Sequence, residues 1–161
     1  DAAGGGFTLS SETDTTSGTT FNIGSIPTGT KLIIINFNGV SLDGSAAIQV
    51  QIGDSGGIET SGYVSSSGTL DDDDTITHSS TTASFIIRIL HSYAVINMRM
   101  VLSLTNSGTF TWHSFHGGAA NNNESTIGGG TKSLSAELTQ IQILDTGSDS
   151  FDAGNITISY Q

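Results

Sequence analysis

The stretch that decides the fold is Ile48–Gly57, "IQVQIGDSGG". Ile48, Val50 and Ile52 alternate with Gln49 and Gln51. Successive side chains of a strand point to opposite faces, so this pattern gives one apolar and one polar face, the signature of a half-buried β-strand. The run that follows holds three glycines among five residues, together with Asp54 and Ser55. Glycine reaches positive φ without strain, and Asp and Ser side chains bond their own backbone, so the run reads as a turn.

Gly53-Asp54-Ser55-Gly56-Gly57 also spells the sequence around the nucleophilic serine of chymotrypsin-like proteases. A serine nucleophile needs a base to take its proton and a third group to orient that base. In the chymotrypsin order the histidine precedes the serine, whereas the first histidine here is His78, after Ser55. That triad cannot be assembled, and the spacing of His78, His91, His113 and His116 supports no other. The expectation is a turn and no enzyme.

Outward from this strand the same arithmetic repeats. Phe21–Ile23 is a short strand, and Pro27-Thr28-Gly29 a turn. Lys31–Val40 is apolar on both faces in its first half, with Ile33, Ile35 and Phe37 on one side and Leu32 and Ile34 on the other, which marks a central strand. Asn38-Gly39 and Asp43-Gly44 are turn signals. Ile58–Ser65, Ser84–Leu90, Val95–Leu104, Thr109–Phe115 and Asn155–Gln161 continue the series, with Val95–Leu104 and Thr109–Phe115 forming a hairpin. Leu134, Ala136 and Leu138 lie in one phase and Ile141 and Ile143 in the other, which predicts a β-bulge near Thr139–Gln140, or else a helical turn. Residues 66–82 and 117–130 read as long polar loops. About nine strands at regular spacing with no substantial helix predict an all-β fold, an antiparallel, jelly-roll-like β-sandwich. Residues 1–19 are small and polar and read as a flexible N-terminal arm or linker, with Phe7–Leu9 able to pair at an edge; residues 20–161 then form a single domain.

Composition limits the function. Among 161 residues there are 4 Lys and Arg against 15 Asp and Glu, a net charge of −11, and no cysteine. Nucleic-acid binding needs clustered cations to displace phosphate counterions, and attraction to anionic membranes needs the same, so both are excluded. No apolar run reaches the ~20 residues that a spanning helix needs, so membrane insertion is not expected. Without cysteine there is no disulfide or thiolate site. The first residue is Asp rather than Met, which suggests a chain processed or cut from a longer one.

Two sets of residues are candidate sites. Trp112, His113, Phe115 and His116 cluster on one strand, followed by Asn121, Asn122 and Asn123. An exposed Trp beside hydroxyl-binding Asn suits stacking on sugar rings, and a His pair suits a transition metal; the competing reading places Trp112 in the core. Asp145, Asp149 and Asp152, in "DTGSDSFD", could converge on calcium as a cofactor, against a hairpin turn capped by Asx bonds. The run Asp71–Asp74 reads as a solvated loop, with a hard cation as the alternative.

The run "IPTGTKLIIINFNGVSLDG…IQVQIGDSGGIETSGYVSS" and the closing "GGGTKSLSAELTQIQILDTGSDSFDAGNITISYQ" resemble two blocks of a bacteriophage virion module of the tail-fibre-like type. They cover residues 20–65 and 128–161; the middle has no counterpart there. The resemblance implies a structural protein of the virion, a homotrimer in a tail fibre or receptor-binding appendage, whose partners are itself, other virion proteins and a host cell-surface glycan. The alternative is a capsid decoration or cement protein. A polysaccharide-binding module or a hydrolase stands further off. The surface expected to make contact is 112–127.

Overall fold

The computed structural model describes residues 6–71, 75–120 and 123–161. The described chain is all-β and holds no helix. Its strands are β1 (Thr8–Leu9), β2 (Thr13–Asp14), β3 (Thr20–Ile23), β4 (Leu32–Leu42), β5 (Ile48–Asp54), β6 (Gly57–Ile58), β7 (Val64–Leu70), β8 (Ile76–Thr81), β9 (Phe85–Ile87), β10 (Ile96–Asn106), β11 (Thr111–Ala120), β12 (Glu124–Ser133), β13 (Gln140–Asp145) and β14 (Phe151–Tyr160). They form two antiparallel sheets. The larger runs β1-β14-β4-β10-β11-β12-β7-β8, with β2 also on β14; the smaller runs β3-β13-β5-β6, with β9 also on β5. The chain crosses repeatedly between them, and the sandwich expected from the alternation is present.

The core is where the two inner faces meet. Ile33, Ile35 and Phe37 of β4 and Met100 and Leu102 of β10 face Ile48, Val50 and Ile52 of β5 and Ile141 and Ile143 of β13, all nearly without solvent exposure. β4 lies between β14 and β10, which explains its apolar outer residues Leu32 and Ile34. The hairpin read from the sequence is β10–β11, in register from Asn97↔Ala119 to Leu104↔Trp112.

Several expectations are corrected. The stretch 66–82 is no loop: β7 and β8 form a hairpin in it, paired from Ser65↔Thr81 to Leu70↔Ile76. The stretch 117–130 is likewise the β11–β12 hairpin, paired from Thr111↔Ser133 to Ala120↔Glu124. Both escape the alternation of apolar residues because their strands are built from Ser, Thr and Gly, and a backbone ladder pairs without apolar side chains. The glycines fit where strands crowd: a Cβ on Gly118 would lie 2.5 Å from the Asn97 carbonyl oxygen, and one on Gly128 would lie 2.6 Å from His116 Cε1. The phase change at 134–143 is neither a bulge nor a helical turn. Leu134 to Thr139 is irregular chain carrying the path from β12 in one sheet to β13 in the other, so the buried side switches with the sheet. Asn38-Gly39 is no turn but lies inside β4, where the pairing with β14 shifts register and Gly39 has φ 65°. Residues 8–15, in the stretch read as an arm, lie along β14: Thr8 and Leu9 pair with Tyr160 and Ser159, Thr13 and Asp14 with Ile156 and Asn155. Thr15 is fully buried, its hydroxyl donating to the Ala153 carbonyl at 2.7 Å.

Candidate functional site

Gly53–Gly57 is the β5–β6 turn. Asp54 Oδ1 accepts the Gly56 N–H at 2.7 Å and Oδ2 accepts the Ser135 hydroxyl at 2.6 Å. The Ser135 hydroxyl, and then the Gly56 N–H, hold the Asp54 carboxyl below the usual carboxylate range. Gly57 has φ 125°, and a Cβ on Gly53 would overlap the Gly57 carbonyl, so both glycines are dictated by the turn. Ser55 is exposed at its tip, and among the described residues no histidine bonds its hydroxyl.

The Trp112–His116 strand is divided by its own alternation. Trp112 and His116 point into the sandwich and are 1% and 0% exposed, whereas His113 and Phe115 face outward and Phe115 is 59% exposed. Trp112 is therefore a core residue and offers no platform for a sugar ring. Asn123 is exposed in the β11–β12 turn with φ 68°; Asn121 and Asn122 lie outside the described residues.

His116 belongs to a polar seam under β9. Ser67 Oγ stands 3.0 Å from His116 Nε2 and accepts the Arg88 N–H at 3.1 Å, while Ser65 Oγ accepts the Ile86 N–H at 3.0 Å. β9 pairs only with β5, so the serines of β7 satisfy the N–H groups on its other edge and join the two sheets. The Arg88 guanidinium reaches over to Thr77 and Ser79 of β8. Burial pushes the His116 imidazole down to about 4, because the charged ring would lose its water.

The aspartates expected to converge on calcium do not. Asp145 Oδ2 accepts the N–H groups of Gly147 and Asp149, Asp149 Oδ2 accepts that of Ala46 at 2.8 Å, and Asp152 accepts the Ser41 hydroxyl. Each carboxylate closes a separate backbone or side-chain contact, so this is a capped turn.

Among the described residues, one group of His and carboxylate ligand atoms does converge, at the end of the sandwich: Asp71, His91 and Glu124. Asp71 follows β7, and its N–H donates to the Thr75 carbonyl at the tip of the β7–β8 hairpin. His91 lies between β9 and β10 in a turn closed by the Ala94 N–H on its carbonyl, and its ring stacks on Tyr93 at 4.8 Å and 12°. Glu124 opens β12 at an inward position and is 3% exposed. His91 Nε2 is 3.3 Å from Glu124 Oε1 and 3.7 Å from Asp71 Oδ2. An open cleft of about 550 Å³ adjoins it, lined by Val95, Asn97, Ala119, Asn123, Glu124 and Ser125. The sequence singled out Asp71 only within its acidic run, and neither His91 nor Glu124 for this site. No local spacing links three residues from three connections.

The outer face of the larger sheet is the other distinctive surface. Phe115, Ile127, Val64, Leu70 and Ile76 are exposed there. Ile34, Val101 and Phe115 stand in one cross-strand row, and Ile127 leans with Phe115 over Gly117. Among the described residues, the outward positions of β4, β10, β11, β12, β7 and β8 carry no Asp or Glu.

No protein-family model matches the chain, and no curated protein matches it significantly.

Proposed function

We propose that the protein is a structural module of a bacteriophage virion that assembles as a homotrimer, in a tail fibre or other receptor-binding appendage. The observation that carries this is the acid-free outer face of the larger sheet. A chain of net charge −11 repels its own copies. The outer face of β4, β10, β11, β12, β7 and β8 is where copies can meet without opposing carboxylates, and it offers exposed Phe115, Ile127 and Val64 to bury. Large apolar side chains exposed on one sheet face, with Phe115 and Ile127 side by side over Gly117, are the kind of surface that association covers.

The two blocks that resemble phage virion modules support the same reading. Residues 20–65 and 128–161 build β3, β4, β5, β6, β13 and β14, so blocks far apart in sequence pair with each other as the smaller sheet and the adjoining strands of the larger. The unmatched middle supplies β8, β10 and β11, which together with β7 and β12 form the larger sheet from β10 to β8, and it also supplies β9 of the smaller sheet. A constant frame with an exchangeable sheet segment is what a module adapted to different hosts or positions needs.

The test is copy number in the purified particle. A few trimers per particle match an appendage; hundreds of copies would replace it with the capsid-decoration reading. Absence from the particle would overturn both.

A further inference from the structure

We propose that Asp71, His91 and Glu124 form a binding site for one divalent transition-metal ion of the zinc class. The ion would join the tip of the β7–β8 hairpin and the β9–β10 connection to the first residue of β12. This inference stands independently of the virion reading.

The spacing of the donor atoms is the first argument. A charge-assisted N–H···O bond draws its heavy atoms to about 2.7–2.9 Å. Two ligands at about 2.0–2.1 Å from a tetrahedral centre stand roughly 3.4 Å apart. His91 Nε2 is 3.3 Å from Glu124 Oε1 and 3.7 Å from Asp71 Oδ2, and the three donor atoms lie within 4.8 Å of one another. That is the separation of atoms arranged around a common centre.

Burial is the second. Glu124 is 3% exposed and stands against the His91 ring, and buried carboxylates are found either paired with a cationic group or on a metal ion. Two carboxylates match the charge of a divalent ion. Stacking on Tyr93 sets the plane of the His91 ring, so less freedom is lost when Nε2 binds. His91 keeps 35% of its side-chain exposure, leaving room for a water as fourth ligand.

The donor chemistry chooses the class. Calcium takes six to eight oxygens, whereas imidazole with two carboxylates suits zinc and its first-row neighbours.

The test is a calorimetric titration of the chelator-stripped, full-length protein with zinc chloride at neutral pH. One ion per chain is expected, with a rise in Tm. His91→Ala, at a half-exposed position, should fold normally and weaken zinc binding about tenfold or more, since even loss of a residue supporting a ligand costs that much. His78→Ala and His113→Ala, both exposed and away from the cluster, should leave zinc affinity unchanged. No binding by the wild type, or undiminished binding by His91→Ala, would overturn the site. Calcium binding more tightly than zinc would overturn the assigned class.

Discussion

His116 and Ser67 meet in the interior, Nε2 to Oγ at 3.0 Å, and the same hydroxyl accepts the Arg88 N–H from the opposite sheet. His116 Nδ1 is buried and has no hydrogen-bond partner among the described residues. A neutral imidazole tolerates this; an imidazolium would carry a second N–H with nothing to receive it.

Acid should therefore unfold the protein through this residue. The folded value is about 4 against an ordinary 6.5, so the unfolded chain binds the extra proton. The contribution is fully present above pH ~6.5 and is lost as pH falls towards 4, on the order of 3 kcal/mol in all. Urea denaturation across this range should show the loss, and His116→Gln should flatten it. Asp54, whose carboxyl is held low, adds a further loss only below the normal carboxylate range.

The strand glycines make a second prediction. Gly128→Ala would put a Cβ 2.6 Å from His116 Cε1 and onto the Ser66 carbonyl. Overpacking of this kind costs about 1–3 kcal/mol. Gly24→Ala meets nothing within 4 Å and should change the urea midpoint little.

Ser55→Ala should be silent in stability, and native Ser55 should not react with a fluorophosphonate. Asp54→Ala should cost about 1–3 kcal/mol, because it removes the buried carboxylate that accepts from both Gly56 and Ser135. Stoichiometric labelling of Ser55 would contradict the turn reading.

These residues also show what the sequence made legible. Where burial is apolar, alternation spoke plainly: Ile48, Val50 and Ile52 lie inward, and β4, β5, β10 and β13 follow the expected pattern. Where strands are closed by hydroxyls and glycines, it was silent. Ser67 is buried because it serves β9, and Gly128 to Gly130 are strand residues, yet single-sequence periodicity reads both as loop. Trp112 looked like a binding residue and is core, since only its inward phase on β11 decides the matter. The cluster of Asp71, His91 and Glu124 depends on two unforeseen hairpins, so nothing in local spacing announced it. Replacing 118–127 by a Gly-Ser link should accordingly abolish folding, because Ala120, Glu124 and Thr126 are buried.

The outer face of the larger sheet predicts its own mutants. Phe115→Asp and Ile127→Asp place carboxylates where Phe115 is 59% and Ile127 49% exposed, so the fold should survive. Association should weaken by tenfold or more for each, from lost apolar burial and new like-charge repulsion.

Light scattering coupled to size exclusion tests the central claim most directly. The 16.5 kDa chain should elute at about 50 kDa at micromolar concentration, as a closed three-fold assembly, and Phe115→Asp should elute as a folded monomer. A wild-type protein that remains at 16.5 kDa under the same conditions would contradict the account.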